Sequence, residues 1–74
     1  MGRLVRLDRT GHTTLAEWSA GEVGSHAQAV AAFRRELDAG MLASIPKANG
    51  SAEVVRELPA DADLVVLRRP IAGG

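Results

Sequence analysis

Residues 64–67, Leu-Val-Val-Leu, form an unbroken apolar run near the end of a chain of 74 residues. A strand with one wet face alternates apolar and polar side chains. A run without alternation predicts a strand buried on both faces, at the centre of a sheet. A last strand in that position can pair in parallel with the first, and the intervening elements must supply its other neighbour and a cover.

The rest of the chain reads as such a set. Residues 3–7 predict a strand, Arg9-Thr10-Gly11-His12 a tight turn, and residues 13–18 a returning strand rich in β-favouring side chains. Residues 19–24 carry Gly21 and Gly24 and interrupt the pattern. Ser25 then stands where an N-cap side chain accepts a hydrogen bond from an unpaired helix N–H, predicting a helix over about 26–39. Ala29, Val30, Phe33 and Leu37 recur at steps of three and four on one face, while Arg34, Arg35 and Asp38 point elsewhere. Gly40 supplies the left-handed residue that ends a helix most readily.

Residues 41–45 are a short apolar run, and Pro46-Lys47-Ala48-Asn49-Gly50 joins a strand-ending proline to an Asn-Gly turn signal. Residues 52–58, with Val54 and Val55 as their apolar pair, make the second arm of that hairpin, and residues 59–63 form a polar turn. The order is strand, strand, helix, strand, strand, strand. One helix on one face of a mixed four- to five-stranded sheet is a two-layer α+β arrangement. That layout is the β-grasp, here a single domain over 1–69 with a flexible tail over 70–74.

A domain of this length buries only about 60% of its unfolded surface, so most of its apolar residues must lie inside. Trp18 and Phe33 are the only aromatics, and the core must be aliphatic. The absence of cysteine removes disulfides, thiolate metal sites and a cysteine nucleophile of the chain's own. Nine basic and nine acidic residues cancel, so no overall field favours nucleic acid or an anionic membrane. No run approaches the roughly 20 apolar residues of a membrane span, and no signal-peptide stretch opens the chain, which predicts a cytoplasmic protein. Met1-Gly2 is not a myristoylation start, because Arg6 holds the position that motif gives to Ser or Thr.

The closing segment Asp61-Ala62-Asp63-Leu64-Val65-Val66-Leu67 with Pro70-Ile71-Ala72-Gly73-Gly74 resembles that of the small bacterial sulfur carriers of thiamine and molybdopterin biosynthesis. The opening Val5-Arg6-Leu7-Asp8-Arg9-Thr10-Gly11-His12-Thr13-Thr14-Leu15 is similar in rhythm to the first hairpin of ubiquitin. In layout the resemblance to ubiquitin-like proteins covers nearly the whole chain; in motif it covers the last dozen or so residues. Pro70-Ile71-Ala72 departs from ubiquitin's basic-apolar-basic lead into Gly-Gly and keeps both carrier and modifier open.

The resemblance implies that the carboxylate of Gly74 is the reactive group, adenylated with ATP by a partner activating enzyme. Gly73 and Gly74 carry no Cβ to obstruct a close approach to the nucleotide. Pro70 fixes its own φ and biases Arg69 towards extended geometry, stiffening the lead-in Pro70, Ile71 and Ala72 at its root. An enzyme cysteine acting on the adenylate gives a thioester that a target amine can attack, whereas a sulfur donor gives a thiocarboxylate. The first reading is a protein modifier, with a conjugating enzyme as a further partner. The alternatives are a sulfur carrier with a sulfur acceptor, for cofactor or tRNA sulfuration, and a non-covalent interaction module in which Gly73 and Gly74 are an idle end. In all three the chain is a substrate or binder rather than an enzyme, and holds no cofactor itself.

Arg68 and Arg69 stand where they can meet acidic residues around a partner's tail channel. Lys47 is the one lysine and the sole side-chain amine acceptor. Arg3, Arg6, Arg9, Arg34 and Arg35 are interleaved with Asp8, Glu36 and Asp38, which favours surface pairing over nucleic-acid binding. His12 and His26 are too isolated for a metal site and read as surface histidines. Asp61 and Asp63 read as turn residues that bond the local backbone. Ser25 beside His26 has no orienting acid and makes no triad. Trp18 reads as packing. Leu15, Ile45 and Leu67 are equally open to core or to an exposed docking patch.

Overall fold

The computed structural model describes residues 1–9, 11–19 and 21–70; Thr10, Ala20 and residues 71–74 lie outside the described residues. The opening hairpin pairs β1 (Gly2–Asp8) with β2 (Gly11–Trp18), antiparallel from Gly2↔Trp18 to Asp8↔Gly11. Both strands outrun the predicted 3–7 and 13–18, because the cross-strand ladder continues past the β-favouring residues. Gly11, at φ 117°, takes a conformation at the turn that a side chain would oppose. The register slips between Leu4 and Val5, opposite Ala16 and Thr14. Leu15 is the extra residue of this bulge, and Leu15 and Ala16 both pack against the core.

The helix α1 (Val23–Asp38) starts three residues before the predicted 26, and Ser25 is not its N-cap. Glu22 takes that position without a side-chain capping bond. Ser25 instead lies in the first turn, where its hydroxyl donates to the Glu22 carbonyl at 3.0 Å and accepts the Ser19 N–H at 3.2 Å. Gly24 is a weak helix former rather than a breaker, and within the first turn it is tolerated. The other end follows the prediction. Gly40, at φ 96°, donates to Leu37 at 2.9 Å, and Met41 donates to Glu36 at 3.1 Å, the paired bonds of a Schellman cap.

Three further strands, β3 (Leu42–Pro46), β4 (Ala52–Val55) and β5 (Leu64–Arg68), complete one mixed five-stranded sheet in the order β2-β1-β5-β3-β4. β5 is central, parallel to β1 and antiparallel to β3, as a last strand of its composition requires. The β3–β4 turn is not centred on Asn49-Gly50. Gly50 donates to Lys47 at 3.1 Å, and of these residues only Gly50 has positive φ, at 86°, so the turn spans Lys47 to Gly50 with Ala48 and Asn49 at its centre and the glycine as its last residue. β4 ends at Val55 rather than 58. The chain bends through exposed Arg56 and Glu57 and delivers Leu58 into the core.

α1 covers one face of the sheet. Ala29 and Phe33 meet Leu4, Trp18, Ala43, Val65 and Leu67, all buried, with Val30 and Leu37 packed beside them. The indole of Trp18 donates to the Ala60 carbonyl at 3.1 Å, and a Cβ on Gly2, its cross-strand partner, would overlap the ring. The two-faced burial predicted for residues 64–67 is met on one side only. Val65 and Leu67 are wholly buried, whereas Leu64 and Val66 face the uncovered side and are half-buried. Among the described residues a single helix shelters a single face, and on the other only neighbouring strands shield β5.

Among the described residues no helix is long and apolar enough to cross a membrane. The two faces should respond differently to truncation. Phe33→Ala is expected to cost about 3–5 kcal/mol and leave little folded protein in a domain this small. Val54→Ala, 59% exposed on the uncovered face, should stay within about 0.5 kcal/mol of the parent in urea unfolding.

Candidate functional site

The parallel pairing of β1 and β5 runs their C-terminal ends side by side, with Arg6 opposite Leu67. Leu7, Asp8 and Arg9 therefore flank Arg68 and Arg69, the residues that lead into the tail. Together with Arg6 they line a wide groove of about 870 Å³. A second groove, of about 450 Å³, lies towards the helix and is lined by Arg6, Glu36, Ala39, Gly40, Met41, Arg69 and Pro70. Arg68, at the end of β5, follows buried Leu67 and takes the uncovered face opposite Leu42, while Arg6 and Arg69 line both grooves. The tail root at Pro70 thus leaves the domain at the boundary of two surface depressions.

Charge at this end is uneven. The Arg6 guanidinium donates to the Glu36 carboxylate at 3.2 Å, tying β1 to the last turn of α1. Arg9, Arg68 and Arg69 are exposed and make no ion pair among the described residues. Asp8 lines the same groove among these arginines, which outnumber it, so a chain of zero net charge carries a local basic rim at the tail root. Such a rim steers and orients an acidic partner surface. Arg9 was not legible as a member, since only the fold brings it to Arg68. Arg3, by contrast, pairs beside Leu64 at the opposite end of β5, and exposed Arg34 and Arg35 belong to the helix, so the five arginines singled out in the sequence do not make one patch.

The predicted reactive residues Gly73 and Gly74, and Ile71 and Ala72 of the lead-in, lie outside the described residues; Pro70 is described and exposed. Lys47 lies at the far end of the sheet, because antiparallel β3 carries Pro46 away from Arg68. Its ammonium pairs with Glu53 at 2.7 Å across the β3–β4 turn, with both side chains about half exposed. A pair so open to water contributes little stability and leaves the amine accessible.

Leu15, Ile45 and Leu67, open in sequence to either role, belong to the core side: Leu67 is buried, and Leu15 and Ile45 pack against the cluster. The exposed apolar residues of the uncovered face are Leu7, Leu42 and Val54, bordering buried Val5 and Ser44. No sequence signal separated these, because each set alternates along its strands and only the position of the helix selects the wet face.

His12 is exposed, whereas His26 is half-buried. Its Nε2 lies 3.1 Å from the Leu58 carbonyl, and its ring meets Trp18 edge-on at 6.1 Å. A carbonyl only accepts, so Nε2 carries the proton. Asp61 and Asp63 are exposed, and main-chain bonds rather than their carboxylates hold this segment: Ala62 donates to Pro59 at 3.3 Å within the turn, and Arg3 of β1 donates to the Asp63 carbonyl at 3.1 Å. Among the described residues no group of three or more His, Asp or Glu side chains is placed to hold a metal ion. Comparisons with protein-family models, with curated proteins and with solved structures give no match to this chain.

The Arg6–Glu36 bridge is the polar fastening at this end of the molecule. A double-mutant cycle with Arg6→Ala and Glu36→Ala should give a coupling of about 0.5–1 kcal/mol that shrinks with added salt. A coupling indistinguishable from zero at low ionic strength would show that the helix end is held by packing and the Schellman cap alone.

Proposed function

We propose that this chain is a ubiquitin-like modifier of β-grasp architecture whose Gly74 carboxylate is adenylated by an activating enzyme and transferred, through an enzyme thioester, to a target amine. The observation that carries the reading is the basic rim of Arg9, Arg68 and Arg69 around the root of the tail. The strand order, with the last strand central and parallel to the first beneath a single helix, supports the β-grasp assignment. In this reading the chain is a substrate. ATP and the catalytic thiol belong to cytoplasmic partner enzymes, and the rim docks on acidic groups around the channel that receives the tail.

The Gly-Gly pair gives that channel a backbone without side chains, and Pro70 limits the conformations lost on threading. Lys47, at the far end of the sheet and accessible, is the acceptor if copies are joined to one another. A second reading rests on Pro70-Ile71-Ala72, which resembles the sulfur carriers more than ubiquitin. It shares the adenylation step and differs in the nucleophile that follows.

The deciding assay is protein-dependent exchange of pyrophosphate into ATP, using activating-enzyme fractions from the native cell and the chain bearing a free Gly74 carboxylate. Exchange is expected with the full chain and should vanish when Gly73 and Gly74 are removed. Intact mass then separates lysine adducts, the modifier outcome, from a terminal thiocarboxylate, the carrier outcome. Exchange that survives the deletion, or none with any fraction, overturns the reactive tail and leaves a non-covalent module.

Reversing the rim charges tests docking separately. Arg68→Glu and Arg69→Glu should each lower kcat/KM for activation about tenfold, chiefly through binding and more strongly at low salt. Arg34→Glu, on the exposed face of the helix, should leave it unchanged.

A further inference from the structure

The β3–β4 turn carries chemistry that the tail does not use. Asn49 and Gly50 are exposed, and the side-chain carbonyl oxygen of Asn49 accepts two hydrogen bonds from Ser51: the main-chain N–H at 3.1 Å and the hydroxyl at 2.6 Å. Donors on a carbonyl oxygen stabilise the negative charge that develops there when its carbon is attacked. The adjacent main-chain nitrogen belongs to Gly50, which presents no side chain to hinder it, and even a Cβ built there meets nothing within 4 Å. An activated amide, an unhindered neighbouring nitrogen and open access to water therefore coincide in one turn.

We infer that Asn49 is a site of spontaneous deamidation in the folded protein, with the Ser51 hydroxyl as the group that polarises its amide. Hydroxide removes the proton of the Gly50 N–H, and the nitrogen's electron pair forms a bond to Cγ of Asn49. The bond from Cγ to the side-chain nitrogen breaks, and that nitrogen takes a proton from water and leaves as ammonia. Water then opens the resulting succinimide and restores the Gly50 N–H. Attack at Cγ leaves aspartate; attack at the main-chain carbonyl leaves isoaspartate, with the chain rerouted through the side-chain carbon. Nothing is oxidised or reduced, and water is the only co-reactant.

The Gly50 N–H donates to Lys47 at 3.1 Å, so the turn must open this bond before attack. Ser51→Ala retains that brake and removes only the hydroxyl, which makes it the informative variant. The products matter to the hairpin. Either one adds a carboxylate beside Lys47 in a chain of zero net charge. Isoaspartate also lengthens the main chain between Lys47 and Ser51, whose 2.8 Å bond closes the hairpin, and loosens the pairing of edge strand β4.

The test ages the folded parent protein, Ser51→Ala, Ser51→Thr and Asn49→Gln in mildly alkaline water labelled with heavy oxygen, beside a synthetic peptide of residues 46–53. Peptide mass spectrometry, with isoaspartate separated chromatographically, reads residue 49, and circular dichroism checks that each variant is folded. Label should enter position 49 of the parent as both aspartate and isoaspartate, and should be absent from the same position of the Asn49→Gln variant. In water the hydroxyl contributes less than a buried oxyanion donor, so Ser51→Ala should slow labelling about tenfold and Ser51→Thr should keep the parent rate. An equal or faster rate in Ser51→Ala overturns the inference. So does a parent that stays unlabelled while the peptide converts.

Discussion

The parallel pairing of β1 with β5 is the constraint on which the other elements depend. It sets Leu4 beside Val65 and Val5 beside Val66 at the middle of the sheet, with β2, α1, β3 and β4 contained in the connection between the two strands. Parallel neighbours cannot be joined by a tight turn, and the loop-closure entropy of so distant a contact opposes folding before the contact forms. The offset comes from burial on the helix side, where Phe33 and Ala29 cover Leu4, Val65 and Leu67 and Trp18 closes the edge. The same pairing aligns the ends of both strands and makes Arg9 a neighbour of Arg68 and Arg69. Core and candidate site follow from one register.

A sheet covered on one side has two chemically distinct faces, and this one divides its apolar residues between them. Leu4, Phe33, Val65 and Leu67 on the helix side are almost completely buried, whereas Leu7, Leu42 and Val54 are exposed on the other. The basic rim borders that wetter face through Arg68 and Leu7. Under the proposed function an enzyme that docks on the rim meets apolar surface next to charge, a combination that suits a reversible interface better than a neutral globule's average surface does.

Features carried by local chemistry were legible in the sequence. Gly40 ends the helix because only a residue without a Cβ takes its conformation cheaply. Ala29 and Phe33 face the core because their spacing matches a helical turn. What was not legible involved competition or distance. Ser25 looks like an N-cap because its hydroxyl does bond main-chain groups, yet Glu22 holds the cap and the helix begins earlier. Residues 56–58 read as strand, but burial of Leu58 and the bonds from His26 and Trp18 to this loop bend the chain away from β3. Leu15 joins the core through a bulge, which shifts the face its position in the strand would otherwise take.

By itself the sequence determined the element types and their order, one amphipathic helix with a defined end, a central last strand, and a Gly-Gly segment behind a proline. These follow from periodicity, backbone conformational preference and hydrophobicity, all of which act over a few residues. The tertiary structure alone decided which face of the sheet stays wet, that Arg9 joins Arg68 and Arg69 while Arg6 is held by Glu36, and that Lys47 stands at the far end from the tail root. Each of those depends on strand register and on which side the helix packs, and these are settled only when residues distant in the chain meet.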